Sequence, residues 1–261
     1  VTLAAALAWT SRLAAVAAAI AAIELLWVRR ALADHGVFAW PVLRRELAPA
    51  PWIIRALADR ALSYRGTLVI LVVQLAAALA LPWTTAPLPA WLVLGCSLAI
   101  SIRFRGTYNG GSDAMLIVVV LALGIARSAP EPGGGAAGLA YAAAQLVLSY
   151  FIAGIAKLRE PAWRAGAALP ALVRLPHYRA PRWAIAMLSR PVIARWASRA
   201  ILAFECGIPL AFAHPAACTA LLAVGAVFHL GNAIVFGLDR FLWTWLAAYP
   251  ALIYWVDRVA G

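Results

Sequence analysis

The sequence predicts an all-α fold: a polytopic membrane bundle of about eight transmembrane helices, with basic amphipathic helices lying in the interface. Three observations carry this. The 261 residues are 65% hydrophobic and 12% charged, with a mean hydropathy of +0.87, whereas a soluble domain carries about 25% charged residues. The apolar residues fall in long runs, and a spanning helix needs about 20 of them. Twelve tryptophans and seven tyrosines suit a protein with two membrane–water belts, where amphipathic rings sit at headgroup level.

The first run, 4–28, has no basic segment ahead of it and is too long for a signal peptide, so it is expected to span. Runs 67–83 and 88–102 follow, separated by a tight turn from Leu81-Pro82-Trp83 to Pro87-Leu88-Pro89. Runs 113–127 and 137–157 are separated by Pro130-Glu131-Pro132 and the glycines Gly133 to Gly135. Ala213-His214-Pro215 divides 199–213 from 215–236, and 241–257 is the last run. No internal repeat or soluble domain is visible, so residues 1–261 are expected to form one integral membrane domain.

Two long connections remain, 29–66 and 158–198, each with seven arginines. The stretch PAPWIIRALADRALSYRG, Pro49 to Gly66, is basic and amphipathic, the pattern of a helix in the interface plane. Docking to lipid headgroups is the expectation; a lid over a site is the sharper alternative. With eight spans, 29–66, 103–112, 158–198 and 237–240 share one side and hold 17 arginines. Excess positive charge marks the cytoplasmic face, so both termini are expected outside a bacterial cytoplasmic membrane. The net charge of +12 is thus assigned to membrane lipids, not to nucleic acid. Cys96, Cys206 and Cys218 have no C-x-x-C spacing, so neither a zinc site nor a redox pair is suggested.

Lys157 is the single lysine, against 21 arginines. Arginine is not deprotonated in proteins and lysine can be, so a lone lysine closing the fifth run suggests a site that needs a neutral amine. Tyr108, Asn109 and Asp113 open the fourth run on the same side, and Asp113 reads equally as a helix N-cap. His229 and Asn232, at i and i+3, share a helix face near the end of the seventh run. Gln145, Ser149, Tyr150 and Gly154 precede Lys157; Gln145, Ser149 and Gly154 are expected near one helical stripe with it, and Gly154 would let a helix or a flat ring approach closely. Glu24 and Glu205 are intramembrane carboxylates, residues that usually face a bundle interior. His35, His177 and His214 look incidental.

Gln145 to Leu158 (Q-x4-Y-F-I-A-G-I-A-K-L), with Trp163 to Leu169 (W-R-A-G-A-A-L), resembles the membrane domain of vitamin K-dependent gamma-glutamyl carboxylase. It is also similar to the broader HTTM (horizontally transferred transmembrane domain) family. Tyr108 to Leu116 and Phe228 to Phe241 resemble two further family segments, in the family's order. The resemblance implies a membrane enzyme in which Lys157 is the base and His229 matches a family histidine. Asn232, Asn109, Asp113, Gln145, Tyr150 and Trp163 would line the pocket. A reduced quinone, vitamin K hydroquinone-like, would be the cofactor, and a small peptide a candidate partner. Gly110-Gly111 stand where the carboxylase has a histidine, and its large domain after the bundle has no counterpart up to Gly261. What is expected is therefore a lysine-base pocket for a quinol-like or other lipophilic acid rather than peptide carboxylation. A maturation or export helper for a secreted peptide and a small-solute transporter are the readings from other classes.

Overall fold

A computed structural model describes residues 1–106, 110–129 and 133–260. All regular elements among them are helical. That suits chain in lipid, where every backbone N–H and C=O must be satisfied within the protein. Among the described residues eight main helices form, seven at the expected positions and the sixth shifted: α1 Leu3–Trp27, α2 Tyr64–Ala80, α3 Leu88–Phe104, α4 Gly111–Ser128, α5 Gly133–Arg159, α6 Pro191–Gly207, α7 Pro215–Phe236 and α8 Asp239–Ala260. Five stretches, Leu3–Trp27, Tyr64–Trp83, Gly110–Ser128, Gly133–Arg159 and Pro215–Phe236, are long and apolar enough to cross a membrane. The count of eight spans is not reached on that measure. The Leu88–Phe104 helix is apolar but shorter. Helix α6 carries Arg195, Arg199 and Glu205, and α8 has Asp239 and Arg240 at one end and Asp257 and Arg258 at the other.

The expected sixth run, 199–213, is displaced. Pro191 at the first position starts α6 eight residues earlier, where its missing N–H costs nothing. Past Gly207 the chain tightens into a 3₁₀ turn, Ile208–Phe212, containing Pro209. Helix α7 is capped at its start by His214, whose Nδ1 accepts from Ala216 N–H at 3.1 Å. It ends at Gly237 in the left-handed region (φ 68°), from which the N–H groups of Gly237 and Leu238 reach back to the carbonyls of Ala233 and Asn232. Asp113 is not the cap of α4: Gly110 holds that position and Asp113 sits buried in the first turn, where a carboxylate complements the helix dipole.

The chain divides into two compact units, Ala8–Gly138 and Val1–Leu7 with Leu139 onward. In the first, α2 packs on α3 and α3 on α4. Gln74 Nε2 donates to Ala18 C=O at 3.2 Å, tying α2 to α1. Arg103, fully buried, donates to the carbonyls of Leu62 (2.7 Å), Leu32 (2.9 Å) and Phe38 (2.9 Å). One guanidinium thus fastens the 29–66 connection to the end of α3, beside an apolar cluster of Leu25, Leu32, Leu71 and Ile100. Within that connection the Trp52–Ala61 helix has no buried residue.

In the second unit α7 and α8 form an extensive antiparallel pair, and the 3₁₀ turn packs on α7. The 158–198 connection folds into short helices, Pro161–Ala165, Ala168–Leu172 and Arg182–Leu188, each packed on α6. The amino terminus pairs with Asp257 at 2.5 Å.

Candidate functional site

A cavity of about 250 Å³ opens within the second unit, lined by residues of α5, α6, α7, α8 and the connection between α5 and α6. Helix α5 contributes Tyr150, Ala153 and Lys157, whose i, i+3, i+7 spacing sets them on one stripe. Gln145 is not among the lining residues. It lies twelve residues before Lys157, about 18 Å along the axis at 1.5 Å per residue, and a third of a turn off that stripe.

Lys157 and Glu205 form the polar wall. The Nζ lies 2.6 and 2.7 Å from the two carboxylate oxygens, with the lysine side chain 23% exposed and the glutamate 3%. The pair exists because α5 and α6 approach closely at Gly154. A Cβ there would sit 2.8 Å from Cys206 N and 2.9 Å from Glu205 C, too near for any side chain. The close approach expected at Gly154 is thus made by the backbone of α6. Trp163, on the short helix after α5, places its ring 5.5 Å from Nζ, within cation–π range.

His229 holds a second polar cluster. Its Nε2 is 2.7 Å from the Tyr150 hydroxyl, which lies 2.8 Å from the Tyr249 hydroxyl, all buried. Gly225, one turn before His229, makes room for them, since a Cβ there would lie 2.4 Å from the Tyr249 oxygen and 3.2 Å from that of Tyr150. The imidazole stacks on Trp245, with centroids 5.0 Å apart and planes at 25°. His229 Nδ1 and Trp245 Nε1 are buried with no hydrogen-bond partner among the described residues. Both residues line the cavity. Buried polar atoms are nearly always satisfied, so these two stand out beside the cavity.

Of the residues singled out from sequence, Lys157, His229, Asn232, Tyr150 and Trp163 line this one cavity. Lys157 is bonded to Glu205 rather than to His229, and His229 to Tyr150. Asp113 belongs to the other compact unit. Tyr108 and Asn109 lie outside the described residues. Trp245 and Tyr249 were not singled out; their signal was the density of rings along α8, FLWTWLAAYPALIYW. The remaining lining is aromatic and aliphatic, including Tyr178, Phe228, Phe236 and Phe241. No group of three or more histidine, cysteine or carboxylate side chains among the described residues could hold a metal ion.

No curated protein and no solved structure matches the chain. The segment Tyr108 to Leu116 lies outside the stretch that a family model does match. That stretch, residues 139–255, is similar to the HTTM domain; it includes every residue lining the cavity and begins where the long segment of the second unit begins.

Proposed function

We propose that this membrane protein is an enzyme whose cavity takes a flat, lipophilic, oxygen-bearing substrate of the quinol type, and that Lys157 withdraws a proton from it. The observation that carries this reading is the chain's one lysine, gripped by both oxygens of a buried carboxylate at the wall of an aromatic cavity. The volume of about 250 Å³ lies near the lower edge of the roughly 300–1,000 Å³ typical of small-molecule sites. It suits a ring headgroup rather than a whole lipid. Rings at the walls offer stacking, and His229 Nδ1 and Trp245 Nε1 offer bonds to an oxygen. A bound quinol would supply an acidic hydroxyl on an electron-rich ring.

The chain's own residues then act as follows. A proton passes from Lys157 Nζ to Glu205 across 2.6 Å, leaving a neutral amine and a neutral carboxylic acid. The amine lone pair accepts the hydroxyl proton of the substrate, and the ammonium so formed stays beside the new oxyanion. Net charge is unchanged throughout. The apolar lining excludes water, which strengthens that attraction, and the Trp163 ring steadies the ammonium. Asn232, one turn beyond His229, can bond a second oxygen.

The test is an anaerobic titration of the protein in nanodiscs with a short-chain naphthoquinol. Quenching of tryptophan emission reports binding, and absorbance of the quinol anion reports deprotonation. Lys157→Arg is expected to bind and to form no anion. Undiminished anion formation in Lys157→Arg removes lysine as the base. A wild-type protein without saturable quenching removes the quinol class. The same reading sets the arginine-rich connections on the cytoplasmic side of a bacterial membrane. Labelling of single cysteines introduced at Arg174 from outside intact cells would contradict that placement.

A further inference from the structure

We infer that the 29–66 connection holds a binding site for the phosphate of an anionic phospholipid, formed by Arg45 and Arg55 beside Trp52. A groove of about 440 Å³ runs between the 3₁₀ turn Arg44–Leu47 and the Trp52–Ala61 helix. Trp52, Arg55, Ala56 and Asp59 form its helix wall, the i, i+3, i+4, i+7 set of one face. Arg44 and Arg45 form the opposite wall.

The charges in the groove do not balance. Asp59 is already engaged: it accepts from Arg44 at 3.0 Å and from Trp40 Nε1 at 2.9 Å. Glu46, the other carboxylate on the turn, is paired with Arg105. The side chains of Arg45 and Arg55 are left exposed, with no hydrogen bond or ion pair among the described residues. The groove thus presents two unengaged guanidinium forks, the donor geometry that suits a phosphate.

The other face of the helix says which phosphate. Ile53, Ile54 and Leu57 point away from the groove, each more than half exposed. In a membrane protein an uncovered apolar helix face next to arginines sinks about 5–10 Å into the acyl boundary. A helix is about 10 Å across with its side chains, so the opposite face, with the groove, then stands among the headgroups. Trp52, on the groove side, is 71% exposed, the interfacial placement favoured by tryptophan. Leu47, Ala48 and Ala56 leave an apolar floor for the glycerol backbone. A free anion would use the arginines alone; a phospholipid uses both faces.

The test titrates the purified full chain in detergent micelles with phosphatidylglycerol or phosphatidylcholine and counts bound lipids by native mass spectrometry. The wild-type protein is expected to hold one phosphatidylglycerol more tightly than any phosphatidylcholine. An arginine near an anionic surface contributes about 1 kcal/mol, so Arg45→Gln with Arg55→Gln is expected to weaken that binding about 30-fold. Arg182→Gln with Arg190→Gln, on exposed positions of the other unit, is expected to leave it unchanged. Arg45→Lys with Arg55→Lys keeps the charge and folds as the wild type, and is expected to bind between the two. Equal retention by the Gln pair and the wild type overturns the site. Displacement of the lipid by inorganic phosphate at millimolar concentration overturns the lipid as its occupant.

Discussion

Replacing Gly154 by alanine is expected to damage the Lys157–Glu205 pair without touching either residue. The new methyl would lie 2.8 Å from Cys206 N, 2.9 Å from Cys206 Sγ and 2.9 Å from Glu205 C. Two of these are backbone atoms of α6, so relief requires α5 and α6 to part by roughly 0.5–1 Å to reach the 3.5–4.0 Å of ordinary contact. The pair, now at 2.6 and 2.7 Å, would be stretched to roughly 3.1–3.7 Å, to the edge of hydrogen-bond range. Overpacking of this kind costs about 1–3 kcal/mol, against about 1 kcal/mol gained from the better helix propensity of alanine. Gly231 supplies the control. It lies inside α7, in the same unit, and a Cβ there meets nothing within 4 Å. Gly231→Ala therefore collects the propensity gain alone. Urea unfolding in detergent, followed by tryptophan emission, should rank Gly231→Ala above wild type and Gly154→Ala about 1–3 kcal/mol below Gly231→Ala. If both alanines stabilise the protein equally, α5 and α6 do not meet at Gly154, and the origin given for the ion pair is wrong.

Lys157→Met leaves a carboxylate buried without its cation and is expected to cost about 3–5 kcal/mol, most of it recovered when Glu205→Leu is added; unfolding midpoints of the single and double variants decide it, and a double variant no better than the single speaks against a buried pair. Arg103→Gln should destabilise the Ala8–Gly138 unit by about 3 kcal/mol or more, because charge-assisted bonds of about 1.5–3 kcal/mol each are lost. Arg103→Lys should not rescue it, since one ammonium lacks the planar fork that reaches three carbonyls; limited proteolysis of the 29–66 connection reads this out. Gly225→Ala should displace Tyr249 and lower stability by about 1–3 kcal/mol, and adding Tyr249→Phe should recover part of it, because the nearest clashing atom is the hydroxyl oxygen; a thermal melt of the three variants measures it.

The bundle was legible because its signal is long-range and redundant: an apolar run of spanning length bounded by proline, glycine or arginine is hard to mistake. The 191–198 stretch was harder. Its Arg195, with Arg190 just before the stretch, read as connection, yet Pro191 and the packing of three short helices extend α6 through it. Within the site, Lys157 stood out by composition, and His229 with Asn232 by spacing. Glu205 was visible as an intramembrane carboxylate, but its partnership with Lys157 was not. That depends on the distance between two helices, which Gly154 sets and which no local pattern encodes. Gln145 was placed on one helical stripe with Lys157, but twelve residues turn the helix a third of a revolution past it and about 18 Å along the axis. Tyr249 and Trp245 were hidden for a different reason: in a helix full of rings, only the packed neighbours tell which one lines the cavity, as Trp245 does, and which one bonds a lining residue, as Tyr249 does.

The Tyr150 hydroxyl, poised between His229 and Tyr249, has a single hydrogen to give. Aimed at the imidazole, it leaves Nδ1 carrying a hydrogen, ready for a carbonyl guest. Aimed at Tyr249, it takes a hydrogen from the imidazole, and Nδ1 becomes a bare lone pair, ready for an alcohol. Passing between these arrangements is a tautomer change: Nδ1 gives one proton to the guest, Nε2 gains one through the Tyr150 hydroxyl, and Tyr249 takes up the replacement. One chamber could thereby host a molecule before and after it loses hydrogen, with no rearrangement of the walls around it.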